Sequence, residues 1–255
     1  MELNQGRRQP AYQLILTWVL VIVVMNVVGY LLKKASLSTT LTSFLEEIVV
    51  LIIVCLANRF WLGVPIHLKS ELSFWQQVKT NGGPVFFMVV NGSLLVTAKH
   101  FTGHSALLVL LALLIAIFEE LLFRGVLLGG FLRRFANNVR WGVWLAAISS
   151  SLLFAASHLI NLSHQSLTMT VGQVLMAFGF GLLTSAMYLR TGSLLWTIAW
   201  HFLEDAQVLV NTGLLQQGVN LPAWAGIGPL VVYGGIAWFM LRRSKLADIR
   251  ARFLN

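Results

Sequence analysis

Long apolar runs recur from one end of the chain to the other, with short polar segments between them. A helix that crosses a bilayer needs about 20 mostly apolar residues, because its backbone groups must pair internally where water is absent. The pattern predicts an all-α, polytopic membrane helix bundle with eight transmembrane helices, at residues 11–32, 44–62, 83–98, 105–132, 142–161, 171–189, 193–213 and 223–241. The third is the weakest, since it is short and is interrupted by Asn91 and Gly92.

The second predicted helix begins beside two acidic residues. Ser43 lies three positions before Glu46, which is the spacing of a capping box. A helix that starts here would hold Glu46 and Glu47 in its first turn, close to the membrane interface. We therefore interpret this acidic pair as a feature of the helix end rather than of a functional site.

Composition supports a membrane environment. Of the 255 residues, 57% are hydrophobic and 11% are charged, and the mean hydropathy is +0.78. Soluble domains carry about 25% charged residues. No polar stretch is long enough to form a separate soluble module, so we expect residues 1–255 to form a single integral membrane domain.

The net charge of +9 is explained by basic residues that flank the apolar runs. Lys and Arg concentrate on the cytoplasmic side of membrane proteins, which predicts cytoplasmic termini and a multi-pass protein of the cell membrane, in contact with membrane lipid. No aromatic-interleaved basic stripe is present, so nucleic acid is not an expected partner. The cytoplasmic set would be Arg7, Arg8, Arg59, Lys69, Lys79, Arg133, Arg134, Arg140, Arg190, Arg242, Arg243, Lys245, Arg250 and Arg252, against Lys33, Lys34 and Lys99 outside.

Three charged residues lie inside the fourth apolar run. Glu119, Glu120 and Arg124 fall within the span, where each charge costs about 2.5–3.5 kcal/mol on insertion scales. Glu120 and Arg124 are four residues apart and can pair on one helix face. Glu119 is turned by about 100° and lacks that partner, so one glutamate is neutralised and the other is left available.

Two further spans carry ionisable groups. His158 lies late in the fifth span, and the seventh holds His201 and Asp205 four residues apart, with Glu204 beside them. The carboxylate of Asp205 can orient the imidazole of His201 and fix its tautomer. Because exposure of all these groups to lipid would be prohibitive, we expect the three helices to turn them toward one polar cavity.

The residues Glu119-Glu120-x-x-x-Arg124, Phe154-x-x-x-His158 and His201-x-x-x-Asp205 resemble, in the same order, the three motifs of a known family. This is the CPBP (CaaX protease and bacteriocin-processing, or Abi) family of intramembrane proteases, which includes type II CaaX prenyl endopeptidases. The resemblance covers about 105–213, which would form the catalytic core.

The resemblance implies a peptide or protein substrate, with or without a lipid group, and a role for each motif residue. Glu119 and His158 would position and deprotonate a water, while Glu120 and Arg124 would form a structural ion pair. His201 and Asp205 would stabilise the oxyanion. The family often has asparagine at the position of Asp205, and an ionised aspartate cannot donate a hydrogen bond, so Asp205 is either protonated or orients His201.

Two alternatives stay open at this level. Glu119, His158 and His201 could make a three-ligand zinc site, as the name metalloendopeptidase often given to the family presumes. We favour chemistry that requires no cofactor, since Glu119 is then free to act and no H-E-x-x-H helix is present. A non-enzymatic membrane protein for binding, bacteriocin immunity or transport could use the same polar cluster.

Overall fold

The computed structural model describes residues 9–96, 103–213 and 222–254, and all regular elements in these ranges are helical. The first four helices are α1 (Ala11–Lys34), α2 (Thr39–Ala57), α3 (Phe74–Thr80) and α4 (Gly82–Val96). They are followed by α5 (Gly103–Glu120), α6 (Gly129–Arg134), α7 (Gly142–Ser157), α8 (Leu167–Thr191), α9 (Leu194–Thr212), α10 (Ile227–Met240) and α11 (Leu246–Leu254). Wider π-helical turns extend α2 through Leu62 and join α5 to α6 over Leu121–Leu128.

Six of these helical stretches in the described part of the chain are long and apolar enough to cross a membrane, which makes the protein an integral membrane protein. They are Ala11–Lys34, Thr39–Leu62, Gly103–Arg134, Gly142–Ser163, Leu167–Thr191 and Ala223–Met240. The other two predicted spans are helices as well. However, α4 has 15 residues, which is short of a full crossing, and α9 carries three ionisable groups that lower its hydropathy. Cytoplasmic termini stay a prediction, since Arg7, Arg8 and Lys99 lie outside the described residues.

The predicted start of α2 is wrong. Ser38, rather than Ser43, caps the helix, because its hydroxyl accepts a hydrogen bond from the Leu41 N–H at 3.3 Å. Glu46 and Glu47 therefore lie two turns inside the span instead of in its first turn. Glu47 is buried and Glu46 is half-buried, so the end of a helix does not explain them.

Helix α8 lies at the centre of the bundle and packs against α7 and α10. Two small residues allow this close approach. A Cβ atom at Gly181 would come within 2.9 Å of the Ser151 Cβ on α7, and one at Gly179 within 2.7 Å of the Leu230 Cα on α10. These glycines set the distance between α8 and the two helices that flank it.

The turn between α8 and α9 fixes where the histidine helix begins. Gly192 ends α8 in the left-handed region, with φ of 65°, which glycine adopts without strain. The segment before α3 then clamps the turn, since the Leu194 N–H donates to the His67 carbonyl at 3.0 Å and the His67 N–H donates to the Tyr188 hydroxyl at 3.0 Å. The first turn of α9 is thereby held against α8, two turns before His201.

Candidate active site

The carboxylates of Glu119 and Glu120 lie at the point where α5 passes into the π-helical turn. Such turns widen a helix locally and often occur at functional sites. Arg124 lies within the turn, and its Nη1 atom is 2.8 Å from the Glu120 Oε1 atom. Both side chains of this pair are buried, at 1% and 0% exposure. The structure therefore contains the ion pair that the i, i+4 spacing predicts, in a place from which water is excluded.

His201 on α9 connects this ion pair to the other acidic residues. Its Nδ1 atom is 2.8 Å from Glu120 Oε1, while its Nε2 atom is 3.4 Å from Glu119 Oε2 and 3.5 Å from Asp205 Oδ2. Because Glu120 is paired with Arg124 and accepts hydrogen bonds, Nδ1 is the protonated nitrogen toward it. The tautomer of His201 is thus set by Glu120, on another helix, and Nε2 faces Glu119 and Asp205.

Exposure divides the four acidic and imidazole groups into a buried layer and an open one. The side chains of Glu119 and Asp205 are 21% and 28% exposed, against 7% for His201 and 0% for Glu120. A reactant can therefore reach Glu119 and Asp205, whereas Glu120 contacts only protein. Of the groups in this cluster, Glu119, Asp205 and the outer edge of the His201 ring are the ones open to a reactant.

Aromatic rings enclose the buried layer. The Arg124 guanidinium carbon lies 4.4 Å from the centroid of Phe154 and 5.9 Å from that of Phe180. The ring of His201 packs edge-on against the same two residues, at centroid distances of 5.8 and 5.1 Å. These contacts hold the cation and the imidazole in place and exclude water from between them.

His158 lies at the end of α7, where the helix tightens into a 3₁₀ turn at His158–Ser163. Its Nδ1 atom is 3.1 Å from the Phe154 carbonyl, and its ring packs edge-on against Phe154. Within the described residues no hydrogen bond or salt bridge joins it to Glu119, but the two groups interact electrostatically. Nε2 is left without a protein partner on the described residues, so it is available to a water or a substrate.

Glu204, which the sequence places beside the site, belongs to a different cluster. Its Oε1 atom accepts hydrogen bonds from Asn91 at 2.7 Å, from the Trp200 indole at 3.0 Å and from the Tyr233 hydroxyl at 3.3 Å. Asn91 is the polar residue that interrupts the third predicted span. The pairing explains both residues, and it ties α4 and α10 to α9.

Sequence reasoning missed Glu47 as a member of the site. This α2 carboxyl group interacts electrostatically with Glu119, Asp205 and His201, and α2 packs directly against α5. Its Oε2 atom is buried with no hydrogen-bond partner among the described residues. A charge inside an apolar span was the available signal, and the incorrect helix start concealed it.

The donor set does not form a preassembled metal site. In the described ranges no group of three His, Cys, Asp or Glu side chains is arranged to hold a metal ion. Glu119, His158 and His201 therefore do not form such a group, which in a zinc site would place three donors about 2.0–2.2 Å from one ion.

One comparison with known proteins matches the part of the chain that contains Glu119, His158, His201 and Asp205. The family model "Type II CAAX prenyl endopeptidase Rce1-like" matches residues 101–207. An uncharacterized 24.3 kDa protein of Escherichia coli is 37% identical over 83 residues, which is 32% of this chain and 33% of that protein. The matched region thus spans about a third of the relative, and no solved structure matches the chain. The family resemblance expected from the sequence is confirmed over residues 101–207, where the chain is similar to the Rce1-like type II CAAX prenyl endopeptidases.

Proposed function

We propose that the protein is an intramembrane endopeptidase of the cell membrane that hydrolyses a peptide bond near the C-terminus of a CaaX-type, lipidated substrate. The observation that carries this proposal is the position of His201, whose two ring nitrogens face a buried Glu120–Arg124 pair on one side and two accessible acids on the other. One imidazole thereby links a fixed charge pair to the groups that a substrate can reach. The Rce1-like match over 101–207 supports the same activity.

In this proposal Glu119 is the general base. Its carboxylate takes a proton from a water as the water oxygen attacks the scissile carbonyl carbon. The tetrahedral intermediate collapses when the C–N bond breaks and the leaving amine receives that proton from Glu119. The products are one new carboxylate and one new amine, so one water is consumed. His158 is suited to orient the attacking water. It interacts electrostatically with Glu119, and its Nε2 atom has no protein partner among the described residues.

His201 and Asp205 are proposed to stabilise the developing oxyanion. An oxyanion needs hydrogen-bond donors, so a proton must lie on His201 Nε2 or on the Asp205 carboxyl. These two groups lie 3.5 Å apart, so a proton on either one is close to the same oxyanion position. Either atom can then donate to the oxyanion. Glu120 and Arg124 do not touch substrate in this scheme, and they hold the His201 ring in place.

We further propose that the reaction requires no metal. Glu119 then acts as a free base, in agreement with the lack of a ligand cluster among the described residues. A non-enzymatic role in binding, bacteriocin immunity or transport is the competing function for the same cluster, and it predicts that the phenotype does not depend on peptide cleavage.

The test uses the purified full-length protein in neutral-lipid nanodiscs with farnesylated and unfarnesylated CaaX peptides. Removing a general base lowers rates by about 10²–10⁴-fold, so Glu119→Gln should reduce kcat by at least about 100-fold. The matched control is Glu204→Gln, which makes the same change in the separate Asn91–Trp200–Tyr233 cluster and keeps the Oε1 acceptor. That control should keep the wild-type rate within about threefold, because its carboxylate lies outside the open layer of the site.

Retained cleavage in Glu119→Gln would show that another group activates the water. Equal loss in both variants would mean that charge removal in the bundle, rather than base chemistry, is responsible. If the wild-type protein cleaves neither peptide while an immunity phenotype survives Glu119→Gln in cells, the binding function replaces the enzymatic one.

A further inference from the structure

A groove of about 680 Å³ opens between the start of α4 and the second half of α10. This volume lies within the range of small-molecule sites, about 300–1,000 Å³. None of the candidate active-site residues lines it, so it is a separate feature of the protein. Its walls are of two kinds, apolar along the helices and basic at one end.

The apolar wall comes from a membrane span. Val231 and Phe239 on α10 are 66% and 64% exposed, and α10 lies in the candidate span Ala223–Met240, so this face meets acyl chains. Open space lies beside two glycines of the groove, since a Cβ atom at Gly82 or Gly235 would have no heavy atom within 4 Å. The space beside Gly235 lies along the apolar face of α10 that is exposed toward the bilayer.

Four basic residues from three helix ends form the other wall. Lys79 precedes α4, Arg190 lies in the last turn of α8, and Arg242 and Lys245 follow α10. None of the fourteen lining residues is acidic, and none of the four forms a salt bridge with a described residue. The acid Asp248, which does not line the groove, interacts electrostatically with Arg190. The end of the groove is therefore strongly cationic.

Arg242 is held over the groove wall. Its guanidinium carbon lies 4.2 Å from the Phe239 ring centroid, and its Nη1 donates to the Phe239 carbonyl at 2.9 Å. These two contacts fix the guanidinium at the boundary between the apolar wall and the basic end. The remaining N–H groups are free to donate to an anion such as a phosphate, which arginine binds with two parallel hydrogen bonds.

We propose that this groove binds one anionic phospholipid, with its phosphate at the basic end and an acyl chain along the apolar wall beside Gly235. Charge complementarity selects an anion, and the apolar wall inside a span selects a ligand that carries a long hydrocarbon chain. A soluble phosphate would leave the apolar wall unfilled. The proposal does not depend on the proposed protease activity, since the groove and the active site share no lining residue.

A second basic cavity provides the control. Arg140, Arg243 and Arg250 line a space of about 640 Å³ whose other lining residues come from α11 and from Val139. No candidate span lines that cavity, so it lacks a path for an acyl chain. Arg242 and Arg243 are neighbours in sequence and both are exposed, yet each lines a different cavity. A single substitution at each position therefore separates the groove from general surface charge.

The experiment is native mass spectrometry of the full-length protein in a neutral detergent, titrated with phosphatidylglycerol or phosphatidylcholine of identical chains. We expect the wild-type protein to retain one phosphatidylglycerol at least tenfold more tightly than phosphatidylcholine. Each basic group near a lipid headgroup contributes about fivefold, so Lys79→Ala with Arg242→Ala should weaken retention by about 30-fold. Gly235→Leu fills the space for the chain and should weaken it at least tenfold, whereas Arg243→Ala should change it less than twofold.

Glycerol 3-phosphate at millimolar concentration should not displace the bound lipid, because it lacks the chain. Equal retention of the two lipids by the wild-type protein would overturn the proposal. So would an effect of Arg243→Ala as large as that of Arg242→Ala, which would indicate diffuse surface charge. Displacement by glycerol 3-phosphate, or unchanged binding in Gly235→Leu, would reduce the groove to an anion site without a lipid chain.

Discussion

Removing Glu120 and removing Arg124 from their buried ion pair should destabilise the protein by different amounts. Removing one partner of a buried ion pair costs about 3–5 kcal/mol, because the other charge is left uncompensated. The loss is not the same on the two sides, since Glu120 has a second close partner and Arg124, among the described residues, has an ion pair with Glu120 alone. His201 Nδ1 is 2.8 Å from the Glu120 carboxylate, whereas the Arg124 guanidinium otherwise packs against aromatic rings, with Phe154 at 4.4 Å, and interacts with Glu119 only through its longer-range charge.

This asymmetry predicts which variant loses more of the free energy of unfolding. In Arg124→Met the carboxylate of Glu120 keeps the His201 hydrogen bond, and the imidazole can take up a proton and restore a charge pair. We expect a loss of about 2–3 kcal/mol in the free energy of unfolding. In Glu120→Gln the guanidinium stays charged and loses its ionised partner, keeping cation–π contacts, worth about 0.5–2 kcal/mol, a neutral amide acceptor and the weaker interaction with Glu119. That variant should lose about 4–5 kcal/mol, at the upper end of the range.

The measurement is an equilibrium SDS titration in mixed micelles, followed by far-ultraviolet circular dichroism. The double variant, Glu120→Gln with Arg124→Met, removes both charges and should lose less than Glu120→Gln alone, with a coupling energy of about 2–3 kcal/mol. Two results would refute the reasoning: an Arg124→Met variant at least as unstable as Glu120→Gln, or losses in the two single variants that add up in the double one.

Two other outcomes follow from the site. Glu47→Gln should raise the free energy of unfolding by about 1 kcal/mol in the same titration. The amide has nearly the same size as the carboxylate and removes one charge from a buried position beside other carboxyl groups. A clear loss of stability in this variant would contradict the prediction. Peptide cleavage should persist after exhaustive chelation with 1,10-phenanthroline, because Glu119 is proposed to act as a free base. That proposal would be overturned if the active purified protein held stoichiometric zinc and lost its activity when the zinc was removed.

Local pattern predicted the parts of this protein that depend on helix geometry alone. The i, i+4 spacing of Glu120 and Arg124 predicts their pairing, and the structure places their atoms 2.8 Å apart. Apolar runs likewise predicted all-helical architecture and the central helices of the bundle. These features follow from the rise and turn of one helix, so the chain near each residue is sufficient to predict them.

Features that depend on the rotation of one helix against another were not available from the sequence. The partner of His201 Nδ1 is Glu120, 81 positions away, rather than Asp205 on the same helix. Glu47 joins the site because of how α2 packs on α5. The sequence predicts eight spans, whereas six helical stretches of the described residues are long and apolar enough to cross a membrane. The other two are α4, which is short, and α9, which is polar, and the Asn91–Glu204 hydrogen bond between them helps to hold both in the bundle.

The combined charge of the site suggests why a histidine stands at its centre. Four carboxyl groups, those of Glu47, Glu119, Glu120 and Asp205, are accompanied by one arginine and two histidines, so the site stays negative even when both imidazoles are protonated. Each uncompensated charge inside a bilayer is costly, which favours keeping at least one mobile proton among the acids and His201. A general base must accept a proton and return it within one catalytic cycle. A cluster that stays negative until it takes up protons, with an imidazole fixed by Glu120 and open toward Glu119, meets both requirements.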